Sequence, residues 1–220
     1  GCTPLGQQLH QIAEVLDMSV ENPAGGARLY PRDMAPTEHP AGELHIPSRP
    51  VRVVTATSLF DGHDAAINIM RRILQSQGAE VIHLGHNRSV DDVVTAAIEE
   101  DADAVAVSSY QGGHVEYFSY LVELLAERGA PEVRVYGGGG GVISPDEIET
   151  LARRGVRIFS PEDGQRMGLA PMVNTIIADC DRPVEHRIDP EAVLGGSTGA
   201  LAQALSALEA GLEVPDPLAG

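Results

Sequence analysis

Among the eight histidines of this chain, His63 has the most suggestive setting, in the run SLFDGHDAAINIMRRIL at residues 58–74. A carboxylate that accepts a hydrogen bond from one imidazole nitrogen fixes the tautomer. It leaves the other nitrogen free, and more basic, to bind a metal. Asp61, two residues before His63, is placed to do this. One histidine does not hold a bare divalent ion, but it can hold a metal whose other ligands come from a macrocycle. Two further stretches could meet a ligand: SSYQGGH at 108–114 and GGGGG at 137–141. Consecutive glycines cost backbone entropy that ordinary turns do not need, so the expected reason is a flat ligand surface lying against the main chain. No lysine follows them, which argues against a phosphate loop.

The elements that must position these residues are legible as alternating patterns. Short apolar runs at 51–58, 79–85, 102–109, 132–137 and 156–160 read as strands. Between them, apolar residues recur at three and four and predict helices near 64–77, 89–100, 115–128 and 145–154, with a fifth over 162–180. Strict alternation with short loops implies an α/β fold with right-handed crossovers. The expected form is a flavodoxin-like, Rossmann-like five-stranded parallel sheet of order 2-1-3-4-5, with helices on both faces and N- and C-terminal extensions. Its ligand crevice lies at the carboxyl ends of strands one and three. Residues 1–46 read as a short helix (Leu5 to Met18) and an extended proline-dotted arm, 47–182 as the ligand-binding domain, and 183–220 as a linker with an amphipathic stretch, Ala200 to Leu212, able to dock on a neighbour.

Composition narrows the partners. The net charge of −17 repels phosphate backbones and anionic headgroups, so neither nucleic acid nor a membrane surface is expected. All fifteen basic residues are arginine, which excludes a Schiff-base lysine and a P-loop lysine. Two cysteines, Cys2 and Cys180, are too few for a disulfide framework or a thiolate metal site, and point to a reduced, cytoplasmic setting. No apolar run approaches the roughly eighteen residues of a membrane span. The opening Gly in place of Met points to a trimmed piece.

The three loops together carry a resemblance. Asp61-x-His63-x-x-Ala66, then 41 residues, Ser108-x-Tyr110, then 26 residues, and Gly137-Gly138 resemble the D-x-H-x-x-G, S-x-L, G-G signature of cobalamin-binding domains. Ala66 stands for Gly and Tyr110 for Leu. The wording of DGHDAAINIMRRILQSQGAEVIHLGHNRSV, AVSSYQGGHVEYF, GGGGGVI and SPEDGQRMGL is similar to the cobalamin domain of the fused isobutyryl-CoA mutase and methylmalonyl-CoA mutase family, over about Pro50 to Asp181.

That resemblance implies adenosylcobalamin, a cobalt cofactor, bound base-off with His63 as lower axial ligand and Asp61 as its orienter. It implies that Ser108 hydrogen-bonds the displaced dimethylbenzimidazole and that Gly138, Gly139 and Gly140 line the slot for the nucleotide tail, beside Tyr110. Gly62, Asp64, Ala66, Met70 and Ser160 join as contacts by position. The implied reaction is the radical rearrangement of isobutyryl-CoA to n-butyryl-CoA on a separate β/α-barrel domain or subunit. A GTPase chaperone domain completes the partners it brings, and a homodimer is left open by the sequence. With no P-loop and no room for a barrel, this chain is expected to be an excised domain or separate subunit, inactive alone and without catalytic residues of its own.

Other readings attach to the same residues. A corrinoid carrier for methyl transfer and a cobalamin-dependent light sensor share the D-x-H motif, although both ordinarily carry a helical bundle ahead of it. His83 and His86 could form half of a zinc site with His63 or His114. Ser108 with His114 could be a nucleophile and base, but no G-x-S-x-G elbow surrounds the serine. Asp61 could simply cap a helix. The acidic residues Asp91, Asp92, Glu99, Glu100, Asp101 and Asp103 read as a solvated face, and Tyr117, Phe118 and Tyr120 as helix packing.

Overall fold

The computed structural model describes residues 44–183, 188–213 and 215. The expected N-terminal helix and most of the arm lie outside these residues. Five parallel strands, β1 (Arg52–Ser58), β2 (Glu80–Arg88), β3 (Ala104–Ser108), β4 (Arg134–Gly138) and β5 (Val156–Phe159), form one sheet of order β2-β1-β3-β4-β5. Branched and small apolar residues bury both faces of the central strands, as a sheet covered on two sides requires. β2 runs three residues past its expected end. Two register shifts, one between Thr55 and Ala56 and one between Ala56 and Ser58, each absorb one extra residue of β2, so that Ala56 pairs with Gly85, at φ +82°, and Ser58 with Arg88.

Side chains alternate across the sheet. Val54, Ala56, Val105 and Val107 face α2 (Val90–Glu99), α3 (His114–Glu127) and α4 (Pro145–Ala152). Val53, Ala104, Ala106 and Tyr136 face α1 (Ala65–Ser76) and α6 (Leu169–Cys180). The predicted fifth helix is two: α5 (Pro161–Met167) ends at Gly168, whose φ of +81° and ψ of 159° break the path before α6 begins. Ser89, Ser144 and Ser160 each close a capping box with the acidic residue three positions on, which fixes the starts of α2, α4 and α5.

The described parts flanking the domain are tied to it. Asn174 of α6 accepts from the His45 N–H at 2.6 Å and donates to its carbonyl at 2.9 Å, and Asp181 accepts from Ser48. Arg49 reaches Asp103 and the Cys180 carbonyl. Asp103 is therefore an internal staple, in contrast to the exposed Asp91, Asp92, Glu99 and Glu100. After the short α7 (Pro190–Leu194), α8 (Thr198–Glu209) folds back on its own domain: Ala202, Ala204 and Ala207 are buried, and Arg52 bonds Ser206 and Glu209. Leu201, Leu205, Leu208 and Leu212 remain exposed. No described helix is long and apolar enough to cross a membrane.

Candidate functional site

The loop after β1 is built around one buried acid. Asp61 is fully buried, and its Oδ1 accepts from the His63 backbone N–H at 2.9 Å and lies 2.7 Å from His63 Nδ1. Its Oδ2 accepts from the Tyr110 backbone N–H across the sheet edge. Burial raises the Asp61 carboxyl, but these bonds from Tyr110 and His63 outweigh it and hold the group below the ordinary carboxylate value. An ionised carboxylate only accepts, so the shared proton sits on Nδ1, and it is the neutral imidazole whose Nε2 carries a free lone pair. The His63 side chain is 64% exposed, and among the described residues Nδ1 is the ring nitrogen that is hydrogen-bonded. Asp61 thus holds the imidazole rather than capping the helix, and Asp64 at the N-cap of α1 makes no side-chain cap either.

Tyr110 supports the same imidazole from the side. Its ring centroid lies 5.7 Å from that of His63 at a 41° tilt. Burial, then the charge of Asp61, pushes its phenol up. The other flank of Tyr110 meets Gly140, where an added Cβ would come within 3.0 Å of the ring.

Beside His63 opens a cavity of about 650 Å³ at the carboxyl ends of the strands. Gly62, His63, Asp64, Ala66, Met70, Ser108, Tyr110, Gly138, Gly139, Gly140 and Ser160 all line it, while Asp61 stands behind His63. Ser108 Oγ is buried without a hydrogen-bond partner among the described residues. The Ser160 hydroxyl is already engaged with Asp163, so Ser160 shapes the wall more than it offers a polar contact.

The glycine run divides by function. At Gly137 an added Cβ would collide with Phe118 and Ile158, at 2.5 and 2.6 Å, and at Gly139 with the Ser109 carbonyl at 2.1 Å. Gly140 lies at φ +56°. These three are glycine to satisfy the fold itself. Gly138 has only one neighbour, at 3.6 Å, and shares the Tyr136 face of β4 that borders the cavity.

The cavity's far wall was not legible as a site. Tyr136 and Phe159 stack at 6.1 Å with a 10° interplanar angle, Arg157 lies 4.9 Å over Phe159, and Asp179 accepts from both Tyr136 and Arg157. Met172, Val173 and Ile176 of α6 complete it. Their apolar spacing predicts the helix over 162–180 and carries no mark of a ligand.

The competing residue readings resolve differently. His114 pairs with Ser109, at 2.9 Å, and not with Ser108, and both partners are buried on the opposite face of the sheet. His83 shares a hydrogen bond with Thr55 at 3.0 Å, and burial, then Arg71, lowers its pKa. Among the described residues no three His, Cys, Asp or Glu side chains gather as a metal site. Phe118 is buried and Tyr117 bonds the Arg88 carbonyl, but Tyr120 is exposed.

Comparisons with known proteins fall on the same segment. The profile of the family described as B12 binding domain matches residues 51–164. The fused isobutyryl-CoA mutase of Nocardia farcinica is 66% identical over 167 residues, covering 76% of this chain and 16% of that protein. That of Cupriavidus metallidurans is 58% identical over 185 residues, covering 83% and 17%. The 2-hydroxyisobutanoyl-CoA mutase small subunit of Aquincola tertiaricarbonis is 34% identical over 130 residues, covering 59% of this chain and 93% of that one. This chain spans about a sixth of the fused proteins it matches.

Proposed function

Because the chain belongs to the B12 binding domain family, we propose that it binds adenosylcobalamin base-off, with His63 as the lower axial ligand, as the cofactor-binding part of an acyl-CoA mutase. The observation that carries this reading is a single imidazole, fixed by a buried acid and open at Nε2, beside an apolar cavity with one orphaned hydroxyl. The residues fit the group. His63 would meet cobalt, Asp61 would hold the imidazole in its Nδ1–H form, Ser108 would meet the displaced base, and Gly138 would let the nucleotide tail lie against β4.

When bound, adenosylcobalamin supplies the radical chemistry. The chain's own part is to orient the imidazole, enclose the tail and keep water from the slot. The substrate, isobutyryl-CoA interconverted with n-butyryl-CoA, belongs to a β/α-barrel domain or subunit, with a GTPase chaperone domain as a further partner and the cytoplasm as the setting. Support comes from the fused and small-subunit relatives that share this segment.

Titration of the purified chain with adenosylcobalamin, followed by visible absorption, tests the binding reading. A base-off, histidine-ligated spectrum is expected, and His63→Ala should lose the histidine ligation. An unchanged spectrum in that variant would refute the assignment. Acyl-CoA isomerisation should appear only after a barrel partner is added.

A further inference from the structure

The leucines of the tail helix form an ordered stripe. Leu201, Leu205 and Leu208 follow one face of α8, and Leu212 comes just past its end, where its N–H bonds the Ala207 carbonyl at 3.0 Å. All four are between 37% and 54% exposed, while Ala202, Ala204 and Ala207 pack inward. Steps of four, three and four residues are the spacing with which one helix seats against another. Residues 198–208 carry no charge, so nothing polar along this stretch compensates for leucine left in water. The same steps recur at Leu5, Leu9, Ile12 and Leu16, which lie outside the described residues. A stretch that short is marginal as an isolated helix and needs an apolar face to fold against.

We propose that residues 5–18 form a helix that seats on the leucine stripe of α8 in the same molecule. This inference is independent of the cofactor reading. The described chain enters close to α8: Arg49 bonds Asp103, Asp103 accepts from the Arg52 N–H, and the Arg52 side chain reaches Ser206 and Glu209. Residues 19–43 span about 30 Å as a flexible coil and more when extended, which is long enough to bring the two stripes together. A second copy is the poorer occupant. Four leucines fall short of the roughly 800 Å² per partner that a stable contact between separate molecules buries, and each copy carries a net charge of −17 that repels the other. A tethered segment meets the stripe at an effective concentration that a separate molecule does not reach, so a smaller contact suffices.

The test is hydrogen-deuterium exchange of the full chain read by mass spectrometry, with light scattering to report its oligomeric state. Amides within residues 5–18 should exchange about tenfold or more slowly than in an unstructured peptide, in a monomer. Leu201→Gln combined with Leu205→Gln should return them to the unstructured rate and leave β1–β5 protected, because both leucines are exposed and lie outside the core. Unstructured exchange of residues 5–18 in the wild-type chain would overturn the proposal. Protection that survives the double substitution would also overturn it, by placing the segment elsewhere. Protection that appears only as the chain dimerises with rising concentration would make a second copy the occupant and overturn it too.

Discussion

Asp61 and His63 are two residues apart and opposite in environment, one fully buried and the other largely exposed. That contrast lets a charged group act as a fixed support while its neighbour reaches out of the fold. Removing the support leaves the Tyr110 and His63 N–H groups without their acceptor, so Asp61→Ala is expected to cost about 1–3 kcal/mol in urea unfolding at pH 7. The folded-state pKa of Asp61 lies below its ordinary 3.8, so this stabilisation is present above that value and is lost as pH falls through the lower, folded value. The gap between wild type and variant should therefore narrow towards acid. Cys180 gives a second check at this scale: burial pushes its thiol up to about 12 and it is 1% exposed. Iodoacetamide at pH 8 should leave Cys180 unmodified in the folded chain and alkylate it after denaturation; rapid native labelling would contradict the packing. The Asp61–His63 pair was legible in the sequence because its chemistry is local. The Tyr110 N–H on Asp61 was not, because it depends on how closely the loops after β1 and β3 approach.

The glycine run serves the cavity and the fold together. Gly137 to Gly140 all border the cavity, but Gly137 and Gly139 are also required by Phe118, Ile158 and the Ser109 carbonyl, and of the four Gly138 alone has space around it. Gly139→Ala should destabilise the chain by about 2 kcal/mol or more, because a backbone carbonyl cannot move aside as a side chain can. Gly138→Ala should change stability by less than about 0.5 kcal/mol and weaken cobalamin binding roughly tenfold. Thermal unfolding and absorption titration of the two variants separate these effects, and the reverse pattern would place the tail elsewhere. The strands and four of the helices followed from periodicity, and the strand order from their strict alternation. The break at Gly168 did not, because Met167, Leu169, Met172 and Val173 continue the apolar pattern across it while the backbone turns.

Across the whole molecule, ties far apart in sequence set the shape of the site. Arg157, 3% exposed, is held by Asp179 at 2.8 Å, and the same acid anchors Tyr136 on the cavity wall. Asp179→Ala removes the acid that the buried guanidinium and the Tyr136 hydroxyl share and should cost about 3 kcal/mol in chemical denaturation, with weaker cobalamin binding as the Tyr136–Phe159 wall loosens. The tail shows what pattern reading leaves open at this scale: α8 turns its alanines to its own domain and leaves its leucines outside. Amphipathicity alone does not say which face is inward when small residues permit the closer approach. The central claim, that the His63 imidazole is the lower ligand of cobalt, is tested most directly by electron paramagnetic resonance of the cob(II)alamin-loaded chain grown with heavy-nitrogen histidine. Coordination by His63 should turn the nitrogen splitting of each cobalt line from a triplet into a doublet, and His63→Ala should abolish the doublet; a triplet that persists in the labelled wild type would show that another base holds the metal.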